Sequence, residues 1–156
     1  MRALTFLILL LPCLAHADIE GKVVGITDGD TLTVLDSENT QHKVRLAGID
    51  APEKGQPFGQ KSKEALSSCA YGLKALIEGR KLDRFGRLVG KVLVNGQDCN
   101  LNQVKHGMAW HYKQYLAEQA PEDRLIYSEA EIQAKTMRIG LWIDNNPTQP
   151  WQFRKK

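Results

Sequence analysis

The 156-residue sequence predicts an α+β domain built on a small Greek-key β-barrel, with the strand economy of an OB-fold. Three observations carry this prediction. Three β-rich stretches, Ile19–Thr27, Thr31–Leu35 and Gln41–Ala47, follow one another through tight polar turns. A helical pattern then intervenes before a further strand at Leu88–Val94. The C-terminal part reads as helices, and neither an internal repeat nor a linker divides the chain.

Taken in order, the first residues read as a targeting signal. Arg2 supplies a short basic region, Leu4–Leu14 an apolar run, and Ala15-His16-Ala17 an A-x-A site, so cleavage is expected after Ala17. The protein is therefore expected in a periplasm or outside the cell. The apolar run is too short to span a bilayer comfortably, and nothing later is apolar enough, so no membrane association is expected after cleavage. Cys13 raises a lipoprotein anchor, but Pro12 before it is a poor fit to the small residue such a site wants. The rest reads as one domain over 18–143 with a basic tail over 144–156, expected to be a monomer without an obligate protein partner. Losing Arg2 lowers the net charge from +3 to about +2, which permits an anionic partner without demanding one.

The first three strands form a meander, turned at Asp28-Gly29 and at Asp36–Thr40. Glu53–Gly59 is a loop marked by Pro52, Gly55, Pro57 and Gly59. Gln60–Tyr71 has small and apolar residues at helical spacing and Gly72 as a stop. A weak strand at Leu73–Glu78 leads to the charged turn Asp83–Arg87, then to Leu88–Val94 and the turn Asn95-Gly96. Asn100–His106 reads as a short helix capped near Asp98 or Asn100, with Leu101, Val104 and Met108 facing inward. Pro121 with Glu122 and Asp123 opens the longest helix. Its apolar positions are Ile126, Ala130, Ala134, Met137 and Leu141, and Gly140 ends it. The tail, closing on Arg154-Lys155-Lys156, reads as a solvated end able to add non-specific phosphate affinity.

The chemistry-bearing residues concentrate in Val44–Glu53, which places Arg45, Asp50 and Glu53 on a mostly apolar segment. Burying charges is costly unless they meet a partner or ligand. In a three-strand meander the first turn and the exit of the third strand lie at one end, so Asp30 and Asp50 can converge. Two such carboxylates suit a hard cation, and an irregular corner with waters suits Ca²⁺. Guanidinium forks such as Arg45 and Arg87 suit phosphate. Singly, each has a plainer reading: Asp30 as a turn cap, Arg87 as a salt-bridge partner of Asp83. Together they are the parts of metal-assisted phosphodiester hydrolysis. Cys69 and Cys99 could form a disulfide, be two buried thiols, or be half of a metal site; no histidine spacing supports the last.

With these motifs in view, the chain resembles the staphylococcal nuclease (thermonuclease, micrococcal nuclease) family. The matching residues are the DGDT of Asp28–Thr31, RLAGIDAPE of Arg45–Glu53, DRFGR of Asp83–Arg87, NQVKHGMAW of Asn102–Trp110 and IGLW of Ile139–Trp142. The resemblance implies an OB-fold five-stranded Greek-key barrel with three α-helices. It implies Ca²⁺ held by Asp30, Asp50 and the Ala51 carbonyl, Glu53 acting on the attacking water, and Arg45 and Arg87 on the scissile phosphate. The implied reaction breaks the bond from phosphorus to the 5′ oxygen of DNA or RNA and leaves 3′-phosphate ends. Phe85, Tyr112, Lys113 and Tyr115 fall where the family meets the nucleotide, with Trp110 and His111 beside them. Cys69 and Cys99 fall where two core residues of the family pack together, which favours a disulfide.

Four departures accompany the resemblance, one of them the presence of Cys69 and Cys99, which the family prototype lacks. Ala51 replaces a threonine, Phe85 replaces a tyrosine and loses its hydroxyl, and the loop after Glu53 is short. A different class of function, a non-catalytic nucleic-acid-binding module of the same fold, would be expected to lack some of Asp30, Arg45, Asp50, Glu53 and Arg87. All five are present.

Overall fold

The computed structural model describes residues 18–155, so the signal-peptide reading lies outside the described residues. In chain order the elements are β1 (Ile19–Ile26), β2 (Thr31–Asp36), β3 (Gln41–Leu46), β4 (Ile49–Asp50), α1 (Gly59–Ala70), β5 (Lys74–Leu82), β6 (Leu88–Val94), β7 (Gln97–Asp98), α2 (Cys99–Lys105), β8 (Trp110–His111), a 3-10 segment (Lys113–Glu118), α3 (Pro121–Thr136), a 3-10 turn (Gly140–Ile143) and α4 (Pro150–Phe153). The strands run β3-β2-β1-β5-β6, and a parallel pairing of β3 with β6 closes them into a five-stranded mixed barrel. The fold class is the one the sequence predicts.

Alternation explains the barrel interior. In β6, Leu88, Gly90, Val92 and Val94 point inward while the residues between them are half-exposed. Val23, Leu32, Val34, Val44 and Ile77 meet them with no exposed surface. Register shifts between Val23 and Gly25 and between Glu78 and Lys81 let the strands curl enough to close. At the β6–β7 turn both Asn95 (φ 50°) and Gly96 (φ 76°) are left-handed, as a type I′ hairpin requires.

The helices cover one side of the barrel, bringing Leu66, Ala70, Val104, Tyr127 and Ala130 into the same core. Asp98 caps α2 by accepting from the Leu101 amide, and its Oδ2 accepts from the Tyr127 hydroxyl at 2.7 Å, so the cap also fastens α3. Cys69 and Cys99 are joined as a disulfide between the end of α1 and the start of α2, with Cα atoms 6.0 Å apart.

Two expectations change. The third helix ends at Thr136 rather than Gly140, because Arg138 turns left-handed (φ 54°) first. Its buried face is Tyr127, Ala130, Glu131 and Ala134, while Ile126 and Met137 are 44% and 70% exposed. Glu131 is drawn inward by the His111 amide and by Lys113 and Lys135, which rotates the apolar positions outward. The tail is also not simply a solvated end: α4 lays Trp151 against Trp110 and Tyr112 and carries Arg154 onto the barrel.

Candidate active site

The site forms where the β1–β2 turn meets the chain leaving β3. The Leu46 amide donates to the Asp30 carbonyl at 2.8 Å, and the Ala51 amide donates to Asp30 Oδ2 at 2.6 Å. Gly29 lets this turn approach α1: a Cβ there would lie 1.8 Å from Ser62 Oγ and 2.8 Å from the Ala51 Cβ. From α2, the Gln103 amide nitrogen donates to the carbonyls of Gly29 (2.6 Å) and Ser62 (2.9 Å). Two helices and a strand therefore fix the backbone that presents Asp30.

Arg45 leaves β3 on the outer face and turns back over this corner. Its Nη1 donates to the carbonyls of Leu46 (2.9 Å) and Ile49 (3.0 Å). Its Nη2 reaches Asp50 Oδ1 at 2.9 Å and Asp30 Oδ2 at 3.2 Å. One nitrogen thus touches both carboxylates, and the fold brings Asp30, Arg45 and Asp50 together. The Asp50 side chain is 1% exposed, and burial pushes its carboxyl above the ordinary range against the pull of Arg154 and Arg45. Asp28, a neighbour not singled out from sequence, is pushed up to about 6 by burial and by the Asp30 charge. Among the described residues, no group of three or more His, Cys, Asp or Glu converges in metal-binding arrangement.

Glu53 joins the cluster through a residue that sequence reasoning missed. Arg154 Nη1 lies 2.6 Å from Glu53 Oε1 and 3.2 Å from Asp50 Oδ1, and its Nη2 lies 2.8 Å from Asp50 Oδ2. These contacts span 101 and 104 residues of sequence, and the only local signal for them was a basic tail. The two carboxylates hold the Arg154 pKa above its usual value. The Glu53 amide donates to Gln56 Oε1 (3.1 Å), and the Gln56 side-chain amide donates to the Thr148 carbonyl. The Glu53 loop and the tail are therefore tied twice.

Arg87 is placed differently. Its Nε donates to Asp83 Oδ2 at 2.7 Å, and its guanidinium lies 5.3 Å from the centre of the Phe85 ring. It pairs with Asp83 rather than with the acids of the site. In the parallel β3–β6 register Val89 is opposite Arg45, so Arg87 precedes β6 with the same outward parity, about 6–7 Å further back along the strand direction. Phe85 is 68% exposed beside it, with Arg84 4.7 Å from its ring centre.

The aromatic stretch divides. Trp110 is buried, with its ring centre 5.3 Å from Trp142. His111 is buried rather than on the surface, donating from Nε2 to Gln119 Oε1 (2.8 Å) and accepting at Nδ1 from the Ser128 hydroxyl (3.1 Å). Burial lowers its pKa. Tyr112, Lys113 and Tyr115 reach the surface, with Tyr112 5.2 Å from Trp151 and 5.5 Å from Tyr115. A cleft of about 300 Å³ lies among Tyr112, Lys113, Glu131, Lys135 and Trp151.

Comparison with known proteins gives the family. Residues 43–144, from β3 to just beyond the second 3-10 turn, match the family described as "Staphylococcal nuclease homologue". A Haemophilus influenzae protein called "Uncharacterized endonuclease" is 45% identical over 98% of this chain and 84% of its own length. A Shigella flexneri protein called "Micrococcal nuclease" is 38% identical over 95% of this chain and 87% of its own. An Escherichia coli "Protein ParB" is 36% identical over 99% and 88%. With the closed barrel and the family match spanning most of the described residues, the chain belongs to the staphylococcal nuclease family of hydrolases.

Proposed function

We propose that the protein is a secreted, calcium-dependent endonuclease of low sequence specificity that hydrolyses DNA or RNA and leaves 3′-phosphate ends. The observation that carries this is the position of Arg45 Nη2, within 3.2 Å of both Asp30 and Asp50, with Glu53 three residues further along the same segment. The relatives named as nuclease and endonuclease support the same reading.

The residues fit a divalent cation. Asp30 and Asp50 supply hard oxygen donors at one corner, where buried Asp50 has its carboxyl pushed up, and the Ala51 carbonyl is the third donor that the family resemblance implies. A guanidinium already stands there as a substitute positive charge, bridging Asp50 and Glu53. When bound, Ca²⁺ would offset phosphate charge at this corner.

The protein's own groups do the rest. Arg45, held by the Leu46 and Ile49 carbonyls and the two aspartates, sets its positive charge beside the phosphate, and Arg87 precedes the neighbouring strand with the same outward parity. Both stabilise the charge that develops on phosphorus in the five-coordinate transition state. Glu53 takes a proton from the attacking water. The new bond joins that water oxygen to phosphorus, and the bond to the 5′ oxygen breaks, with the leaving oxygen taking up a proton. Exposed Phe85, Lys113 and Tyr115, with half-buried Tyr112 beside them, offer rings and charge to bases and backbone, a sequence-tolerant mode of binding. Secretion is supported by the N-terminal sequence and by the Cys69–Cys99 bond, which suits an oxidising compartment.

The test is incubation of the protein with single-stranded DNA, duplex DNA and RNA, with Ca²⁺ or with a calcium chelator. Cleavage with calcium and none with chelator is expected. Cleavage indifferent to chelation refutes the metal assignment, and tight binding without cleavage would make the protein a binding module.

A further inference from the structure

The position of Arg154 does not follow from the family reading, and it conflicts with a cation at the same corner. Both Asp50 oxygens are taken by guanidinium groups: Oδ1 by Arg45 (2.9 Å) and Arg154 (3.2 Å), Oδ2 by Arg154 (2.8 Å). Glu53 Oε1 is held by the same Arg154 at 2.6 Å. A divalent cation on Asp50 would have to replace the Arg154 contacts and would repel the guanidinium left beside it. Arg154 is not adrift on a loose end. It follows α4, whose Trp151 ring packs 5.2 Å from Tyr112 and 6.4 Å from Trp110, and the Thr148 carbonyl accepts from Gln56 in the Glu53 loop.

We propose that the segment Thr148–Arg154 is a cation-displaced latch: in the metal-free protein Arg154 occupies the acidic corner and sequesters Glu53, and a divalent cation binding to Asp50 expels it and loosens α4. The inference rests on the metal-dependent reading above and adds a residue and a segment to it. The latch has two consequences. Arg154 adds a second positive partner to the acids of the site beside Arg45, which alone meets two carboxylates with one charge. Calcium must also compete with an intramolecular cation, so its apparent affinity is lowered by the fraction of molecules in which the latch is closed.

Calorimetric titration of Ca²⁺ into the wild-type protein and Arg154→Ala tests the competition without reference to catalysis. The variant is expected to bind Ca²⁺ at least tenfold more tightly. Equal or weaker binding by the variant overturns the latch while leaving the metal reading intact. Absence of calcium binding in both proteins overturns the metal reading and the latch together. Hydrogen exchange on the wild type alone gives a second readout should the variant not fold. Saturating Ca²⁺ is expected to speed exchange of the Gln152, Phe153 and Arg154 amides, which donate to Gln149 and Pro150 carbonyls, at least tenfold. Unchanged exchange in a calcium-saturated protein overturns the proposal.

Discussion

Gln103 of α2 donates to the carbonyl of Gly29 at 2.6 Å, across 74 residues of sequence, and so holds the turn that carries Asp30. The same side-chain nitrogen serves the Ser62 carbonyl of α1. The site thus depends on a buried polar joint among three elements as well as on its charged residues.

Gln103→Leu should leave the Gly29 carbonyl buried without its donor and remove the tie from α2 to Ser62. A loss of stability on the order of 2 kcal/mol in urea unfolding is expected, with a larger fractional loss of cleavage than of fold at 25 °C. A variant as stable and active as wild type would show that the joint is dispensable.

The disulfide closes a loop of 30 residues between α1 and α2. Chain-entropy arguments give such a cross-link roughly 3–4 kcal/mol. Reduced protein, or Cys69→Ala with Cys99→Ala, should unfold at correspondingly lower denaturant. A count of two free thiols on unreduced protein would contradict the pairing.

Acid should weaken the fold through His111. Burial holds its folded pKa below the unfolded value, and its neutral ring is satisfied by Gln119 and Ser128. The unfolded chain therefore takes up a proton that the fold resists, so this contribution is fully present above the unfolded pKa, near 6.5, and is lost as pH falls below it. The stability gap between wild type and His111→Gln should narrow from pH 7.5 to pH 5.5. A constant gap would mean that His111 does not titrate as described.

The parts legible in the sequence were those with local signatures. β-branched alternation marked the barrel strands, Asn95-Gly96 marked a hairpin, and Asp98 marked the start of α2. Two carboxylates on one meander could be placed at one end by topology alone. The two-residue pairing of Ile49–Asp50 with Trp110–His111 is too short for any periodicity to show. The inward turn of Glu131 depends on partners in β8 and the 3-10 segment, which no spacing within α3 reveals. The return of Arg154 to Asp50 depends on Trp151 finding Trp110 and Tyr112, a tertiary contact without a local pattern.

Glu53 is the group on which the account depends most, since it alone is asked to move a proton. The most direct measurement is single-turnover cleavage of one DNA by wild type and Glu53→Gln at saturating Ca²⁺, with DNA binding measured in parallel. The account predicts a rate lowered by about 10²–10⁴-fold with DNA affinity little changed, as removal of a general base requires. A variant that cleaves as fast as wild type would contradict it.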